Sequence, residues 1–369
     1  MVTVAAAMIV RDEEVFLPDC LSSLKGKVDE IVLVDTGSKD RTVDIAEKFG
    51  ARIFHFDWAD DFAAARNRGL DEVRADWVLY IDADERLHTP QDRPLAHFIM
   101  PEAIAAFVRF RPKAGYSRYR ELRLFRRDAR LRFAGIIHET VVPAVDRLVA
   151  QERAALARTP VRMEHLGYEG DPRQKAGRNI PLLRRAVAAE PGRVYCWYHL
   201  AESLAAVGRT DEALAAGLRG LQAAKIEPSE KQRANASMIY QMLARIDLEN
   251  GRDPLPLIAE GLAAEPGDFA LQFLEGRARL DAGEYEQALQ IARRLRAVDP
   301  DLLDEGLLAF DRRIFTEFAD DLAGIASFLL GAFAEAARRF SAAASSAAQA
   351  EPYRAKARAA LAAGNRVRA

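Results

Sequence analysis

The stretch Val78-Leu79-Tyr80-Ile81-Asp82-Ala83-Asp84-Glu85 constrains this chain more than any other. An apolar run stops at two carboxylates separated by one residue. The run predicts a strand buried on both faces, as in a parallel sheet. A core gives no reason for the acids that follow. Two carboxylates at a strand's carboxyl end crowd negative charge where an open α/β sheet places its ligand. A divalent cation carrying phosphate oxygens is the natural counterpart. The competing reading, a turn or helix cap, explains the acids but not the buried strand before them.

Up to about Tyr168 the pattern alternates strand and helix. Strands are predicted at Val4 to Val10, Glu30 to Val34, Arg52 to Phe56 and Trp77 to Ile81. Helices are predicted at Val15 to Leu24, Arg41 to Phe49 and Phe62 to Val73. This βαβαβ order implies mainly parallel strands with right-handed crossovers. Ala105 to Arg111, Leu122 to Arg126 and Leu131 to Phe133 then read as half-buried antiparallel strands, because apolar residues alternate with arginine. From about Asp171 the strands give way to good helix formers punctuated by Gly and Pro. Pro266 and Pro300 are 34 residues apart, the tetratricopeptide period. Leu274, Gly283, Tyr285 and Ala288 lie inside that unit. A looser copy holds Trp197, Leu200, Ala201, Gly208 and Ala213 followed by Pro228, and a third holds Phe333, Ala336, Phe340 and Pro352. The expected architecture is an α/β domain at 1–168 and an all-α, tetratricopeptide-like domain at 169–369.

A formal charge of −2 argues against nucleic-acid binding by bulk electrostatics. The two cysteines, Cys20 and Cys196, form no CxxC pair, so neither a disulfide framework nor a zinc ribbon is expected. Both read as structural. The apolar start, Val2 to Val10, runs into Arg11-Asp12-Glu13-Glu14 and reads as a strand, not a signal peptide. The late apolar run Ile325 to Ala334 is too short to span a bilayer. A cytoplasmic protein is the expectation.

Asp35-Thr36-Gly37-Ser38-Lys39-Asp40 follows the second strand in the manner of a ligand loop. Gly37 permits a tight turn, Asp40 can cap the next helix, and Asp35 at the carboxyl edge suits a hydrogen bond to a base or ribose. A plain strand–turn–helix explains Ser38 and Asp40 equally well. No GxGxxG or GxxxxGK[ST] occurs, which disfavours dinucleotide and P-loop chemistry.

Four motifs now stand in order: Met8 to Glu14, Glu30 to Thr42, Asp61 to Asn67 and Ile81 to Glu85. Together they resemble family 2 glycosyltransferases of the GT-A fold, over roughly the first 165 residues. The continuation is similar to the bacterial branch that joins such a domain to tetratricopeptide-like repeats, the SunS-like and lipopolysaccharide-core branch. The resemblance implies an inverting transferase that takes a sugar from a nucleotide-diphosphate donor, with uridine diphosphate sugars foremost. It places Asp35 on the nucleoside and Arg11 and Glu13 beside the nucleotide. Arg66 and Asn67 would support the diphosphate or sugar. Asp82 would face ribose or metal, and Asp84 would be the firmer ligand of Mn2+ or Mg2+.

Gly135 to Thr140 sets Glu139 and His138 after an apolar pair. Glu139 is the first candidate for general base and His138 the second, as base or metal ligand. His165 is a further metal candidate, against the commoner reading of a lone His as structural. The arginine run from Arg118 to Arg132 reads as a solvated strand face, with Arg123 and Arg126 as candidate anion clamps. The acceptor would be a hydroxyl or thiol on a peptide, protein or glycan. The repeats would hold it or drive self-association. Two rivals stand beside this reading. One is a non-catalytic repeat scaffold with a degenerate sugar-nucleotide domain. The other is a sugar nucleotidyltransferase, disfavoured because Met8 to Glu14 contains no glycine.

Overall fold

β1 (Val4–Val10) is buried along almost its whole length. Val4, Ala6 and Met8 face one core with Leu17, Leu21 and Leu24 of α1 (Leu17–Leu24), while Ala5 and Ala7 face another. A strand covered on both faces belongs in the middle of a sheet. β2 (Glu30–Asp35) and β4 (Trp77–Tyr80) flank β1 in parallel, and β3 (Arg52–His55) lies beside β2. The crossovers are α1, α2 (Thr42–Lys48) and α3 (Phe62–Glu72).

The sheet then turns antiparallel. β7 (Tyr119–Arg126) pairs with β4 and with β6 (Ala103–Arg111). β8 (Ala155–His165) runs parallel to β6 and antiparallel to β5 (Glu85–His88). The eight strands run β3-β2-β1-β4-β7-β6-β8-β5. Strand order reverses between β1 and β4, which opens a crevice at their carboxyl ends. This mixed sheet, parallel on one side and mainly antiparallel on the other, is of the α/β class expected from the sequence. The second core, under α3 and α4 (Val142–Glu152), includes Leu70, Val78, Phe125, Val145 and Leu148.

One predicted strand is absent. Leu131 to Phe133 is extended but unpaired, although Leu131 and Phe133 are buried. Its alternation is that of a strand, but the backbone of Phe133 is held by a side chain. The Asn67 amide donates to Phe133 O and accepts from Phe133 N, both at 2.9 Å. One amide side chain does the work of a neighbouring strand.

The structure, a computed structural model, describes residues 2–166, 172–226, 230–303 and 306–368. It divides into two compact units. The first is Met1–Ala114, Arg118–Ala189 and Asp304–Ala309; the second is Gly115–Ser117, Glu190–Leu303 and Phe310–Ala369. The first also holds α5 (Pro172–Ala189). In the second, helices follow one another in pairs: α6 (Val194–Ala206) with α7 (Thr210–Ile226), α8 (Glu230–Glu249) with α9 (Leu255–Ala264), α10 (Phe269–Asp281) with α11 (Tyr285–Arg296), and α12 (Glu317–Leu329) with α13 (Phe333–Ser346). α14 (Glu351–Arg368) follows. Gly208 and Gly283 turn the chain between paired helices with φ of 80°, a left-handed conformation that glycine adopts without a Cβ penalty. No helix among the described residues is long and apolar enough to cross a membrane.

Candidate active site

The loops after β1 and β2 are stitched together at the crevice. Asp12 has left-handed backbone (φ 55°), which a short polar side chain tolerates. Its carboxylate accepts from Lys39 N at 2.7 Å, and its own N–H donates to Ser38 Oγ at 3.0 Å. Glu13 N donates to Thr42 Oγ1 at 2.7 Å, and Glu14 N to Asp40 Oδ2 at 3.0 Å. Asp40 also accepts from Thr42 N at the start of α2. Burial, the largest single influence, opposes its charge, but the Thr42 hydroxyl together with Thr42 N and Glu14 N holds its carboxyl below the usual range. Ser38 and Asp40 therefore build the loop.

Asp35 is buried at the end of β2, and its carboxylate accepts from Gly37 N (3.2 Å) and Ser38 N (3.1 Å). His55 Nδ1 lies 3.4 Å from the same carboxylate; with about four acceptor positions on a carboxylate, room remains for a ligand hydroxyl. Arg11 is exposed on the loop after β1.

Arg66, in the second turn of α3, is the centre of the site. Its Nη2 donates to Asp82 Oδ1 at 2.7 Å, and its Nε donates to Glu139 Oε1. Its guanidinium lies 5.5 Å from the Tyr80 ring centre and 5.6 Å from that of Phe133. Nη1 is buried with no hydrogen-bond partner. Burial opposes charge on Asp82, but Arg66 and Arg123 outweigh it and keep that carboxyl low. The helix brings the first acid of the DxD pair and the candidate base onto one cation. Glu139 reaches it from a loop closed by Ala134 and Thr140, which exchange two backbone hydrogen bonds of 3.0 Å. Phe62 N donates to Ile136 O and ties that loop to the start of α3. His138, just before Glu139, has left-handed backbone (φ 51°).

Asp84 pairs with His165, Oδ2 to Nε2 at 2.8 Å. The other ring nitrogen, Nδ1, is 2.9 Å from Pro112 O. A carboxylate and a carbonyl both accept, so both ring nitrogens donate and the imidazole is protonated. The Asp84 hydrogen bond pushes the His165 pKa up to about 9. Glu13 shares this edge. Burial, then the charges of Asp84 and Asp82, push its carboxyl up to about 7.

Three residues that the sequence assigned to ligands have protein partners in the structure. Arg123 is no open anion clamp: its Nη2 and Nη1 donate to Glu85 at 2.8 and 3.2 Å, and Tyr80 and Phe110 cover its faces at 4.6 and 4.7 Å. Asn67 spends its amide on Phe133 and touches the backbone instead of a ligand. Arg126 likewise donates to Ala103 O. Sequence reasoning passed over Glu85, 2% exposed, whose carboxylate also accepts from Asp82 N at 2.9 Å. Its signal was a third acid directly after the pair. Cys20 and Cys196 are buried, and burial pushes both thiols up.

Among the described residues, no three His, Cys, Asp or Glu side chains gather closely enough to hold an ion alone. The Asp84 carboxylate and His165 imidazole are nonetheless an oxygen and a nitrogen donor at one point. They fit a divalent cation whose other ligands are phosphate oxygens and water, once His165 gives up its proton.

The model for glycosyl transferase family 2 covers residues 6–148. Residues 6–148 are a glycosyl transferase family 2 domain. A TPR repeat-containing protein of Synechococcus elongatus is 39% identical over 238 residues, 62% of this chain and 59% of that protein. The SPbeta prophage-derived glycosyltransferase SunS of Bacillus subtilis is 26% identical over 225 residues, 58% of this chain and 51% of SunS. The chain thus spans between half and three-fifths of the length of these curated relatives. Among solved structures, S. aureus TarS 1–349 aligns over 80% of this chain and 91% of that one, with 14% identity and a TM-score of 0.37.

Proposed function

We propose that this family 2 domain moves a sugar from a nucleotide-diphosphate donor, a uridine diphosphate sugar foremost, to a hydroxyl or thiol of a peptide, protein or glycan, with inversion. The observation that carries the reading is Arg66, which joins Asp82 to Glu139 at the crevice where the strand order reverses. Asp35, Arg11 and Glu13 hold the nucleoside side. Asp84, with His165, holds Mn2+ or Mg2+, which supplies charge neutralisation at the diphosphate when bound. Asp82, fixed by Arg66, lines the donor side. Glu139 takes the acceptor proton as the acceptor attacks the anomeric carbon, and Arg66 orients its carboxylate for that task. His138 is the alternative base. Asn67, Arg123 and Glu85 position these groups without touching donor. In this reading residues 1–168 carry the chemistry, and residues 169–369 present acceptor or join copies of the chain.

One observation favours the scaffold reading instead. Asp82 and Asp84 each already have a protein cation, Arg66 and His165. A titration decides between them. With manganese present, the protein binds a uridine diphosphate sugar and hydrolyses it slowly; Asp84→Ala loses at least 100-fold in rate while its helical circular dichroism is unchanged. A fully active Asp84→Ala ends the assignment of Asp84. No binding by any nucleotide sugar leaves the scaffold.

A further inference from the structure

The arginines of β6 lie on the face opposite the core. Val108 and Phe110 are buried, and Arg109 and Arg111 alternate with them. On β8, Glu164 stands opposite Arg111, and Arg162 stands opposite Arg109 and His88. Cross-strand neighbours share a face, so strands far apart in sequence pool their charges there. Glu164 is the shared carboxylate. Arg111 Nη1 reaches it at 3.2 Å, Arg118 Nη2 at 3.6 Å and His88 Nε2 at 3.9 Å.

Cation outweighs anion in this cluster. Arg111 and Arg118 are largely buried, and the Nε of each is shut from solvent with no hydrogen-bond partner. Burial, then the charges of Arg111 and Arg162, push the Arg118 guanidinium below its usual range; Glu164 opposes them without prevailing. Buried cationic N–H groups without acceptors are costly, and an oxyanion relieves that cost. A guanidinium fork matches phosphate in two-point geometry; Arg111 and Arg118 meet at Glu164, and the exposed Arg162, opposite Arg109, adds its charge to that of Arg118. Glu164 adjoins His165 on β8, so the cluster lies at the same strand end as the partner of Asp84.

We infer that Arg111, Arg118 and Arg162 form a second oxyanion site, separate from the donor crevice, that takes the phosphate group of a phosphate monoester or free phosphate, with Glu164 as its internal competitor. The existence of the site does not depend on the transferase reading; only the source of the phosphate does.

Inorganic phosphate is titrated calorimetrically into the full chain saturated with uridine diphosphate, so that the donor crevice is filled. Arg118→Gln is expected to weaken phosphate binding at least tenfold. Glu164→Gln is expected to tighten it at least fivefold, a gain that misfolding does not imitate. Affinities within twofold of the parent in both variants, or no phosphate bound by Glu164→Gln, overturn the site. The source is then read from donor consumption. Glycerol phosphate stimulating it where inorganic phosphate does not marks a phosphorylated acceptor, whereas an equal change with both marks a free effector. Absence of donor turnover in the parent chain, with phosphate still bound, sinks the transferase reading and leaves the oxyanion site standing.

Discussion

Buried acids occur in both units, and their partners differ in completeness. In the helical unit Asp268 is fully buried and saturated: Ala270 N (2.9 Å), Leu271 N (3.0 Å), Gln241 Nε2 (2.7 Å) and Ser237 Oγ all donate to it. It caps α10 and fastens α10 to α8. Asp320 is similar, held by Arg296 at 2.9 Å and Arg339 at 3.3 Å from the helices on either side. In the sheet unit the Asp82–Arg66–Glu139 network is unfinished. Arg66 Nη1 has no partner, and Glu13 sits in a field of unbalanced negative charge. A saturated network specifies a packing; an unfinished one leaves capacity for a ligand.

That contrast breaks if the two kinds of network respond alike to substitution. Glu139→Gln keeps the shape of the site and removes the proposed base. We expect kcat to fall about 10²- to 10⁴-fold, with a melting temperature within a few degrees of the parent. A variant of normal rate would transfer the base assignment to His138. Asp268→Ala should do the reverse. It leaves several buried donors unpaired and removes a cap, at a cost of about 3 kcal/mol by denaturant titration, with donor binding to the first unit unchanged. A cost below about 1 kcal/mol would mean that the helical network is no more finished than that of Arg66.

The smallest effect is a pH dependence. Glu13 binds its proton more tightly folded than unfolded, because its carboxyl is pushed up to about 7. Between roughly pH 4.5 and 7 the folded chain keeps that proton and the unfolded chain has lost it, so stability falls as pH rises. With allowance for solvent screening, the drop is about 1 kcal/mol. Glu13→Gln should flatten that part of the stability profile, and a slope identical to the parent would remove Glu13 from the acidic edge.

The DxD pair was legible because a buried strand ending in two acids has few explanations, and β4 ends where the apolar run stops. The alternating order of strand and helix was legible for the same periodic reason. Three things were not. Leu131 to Phe133 alternates like a strand, and nothing local announces that Asn67 replaces its ladder. Arg123 looked like a clamp because the sequence does not show Glu85 turning inward onto it. Arg111 ends β6, Arg118 immediately precedes β7 and Arg162 lies on β8; parallel pairing of β6 with β8 sets their neighbourhood, which is a property of the fold alone.

Arg66 and Asn67 are adjacent on α3. One grips the carboxylate of Glu139, and the other grips the backbone just before the loop that carries it. The same helical turn therefore acts as a ruler from Asp82 to the proposed base. Lengthening the chain between Arg127 and Ala129 leaves the ruler intact; lengthening it between Ala134 and Glu139 does not, so tolerance of insertions should change sharply at Phe133.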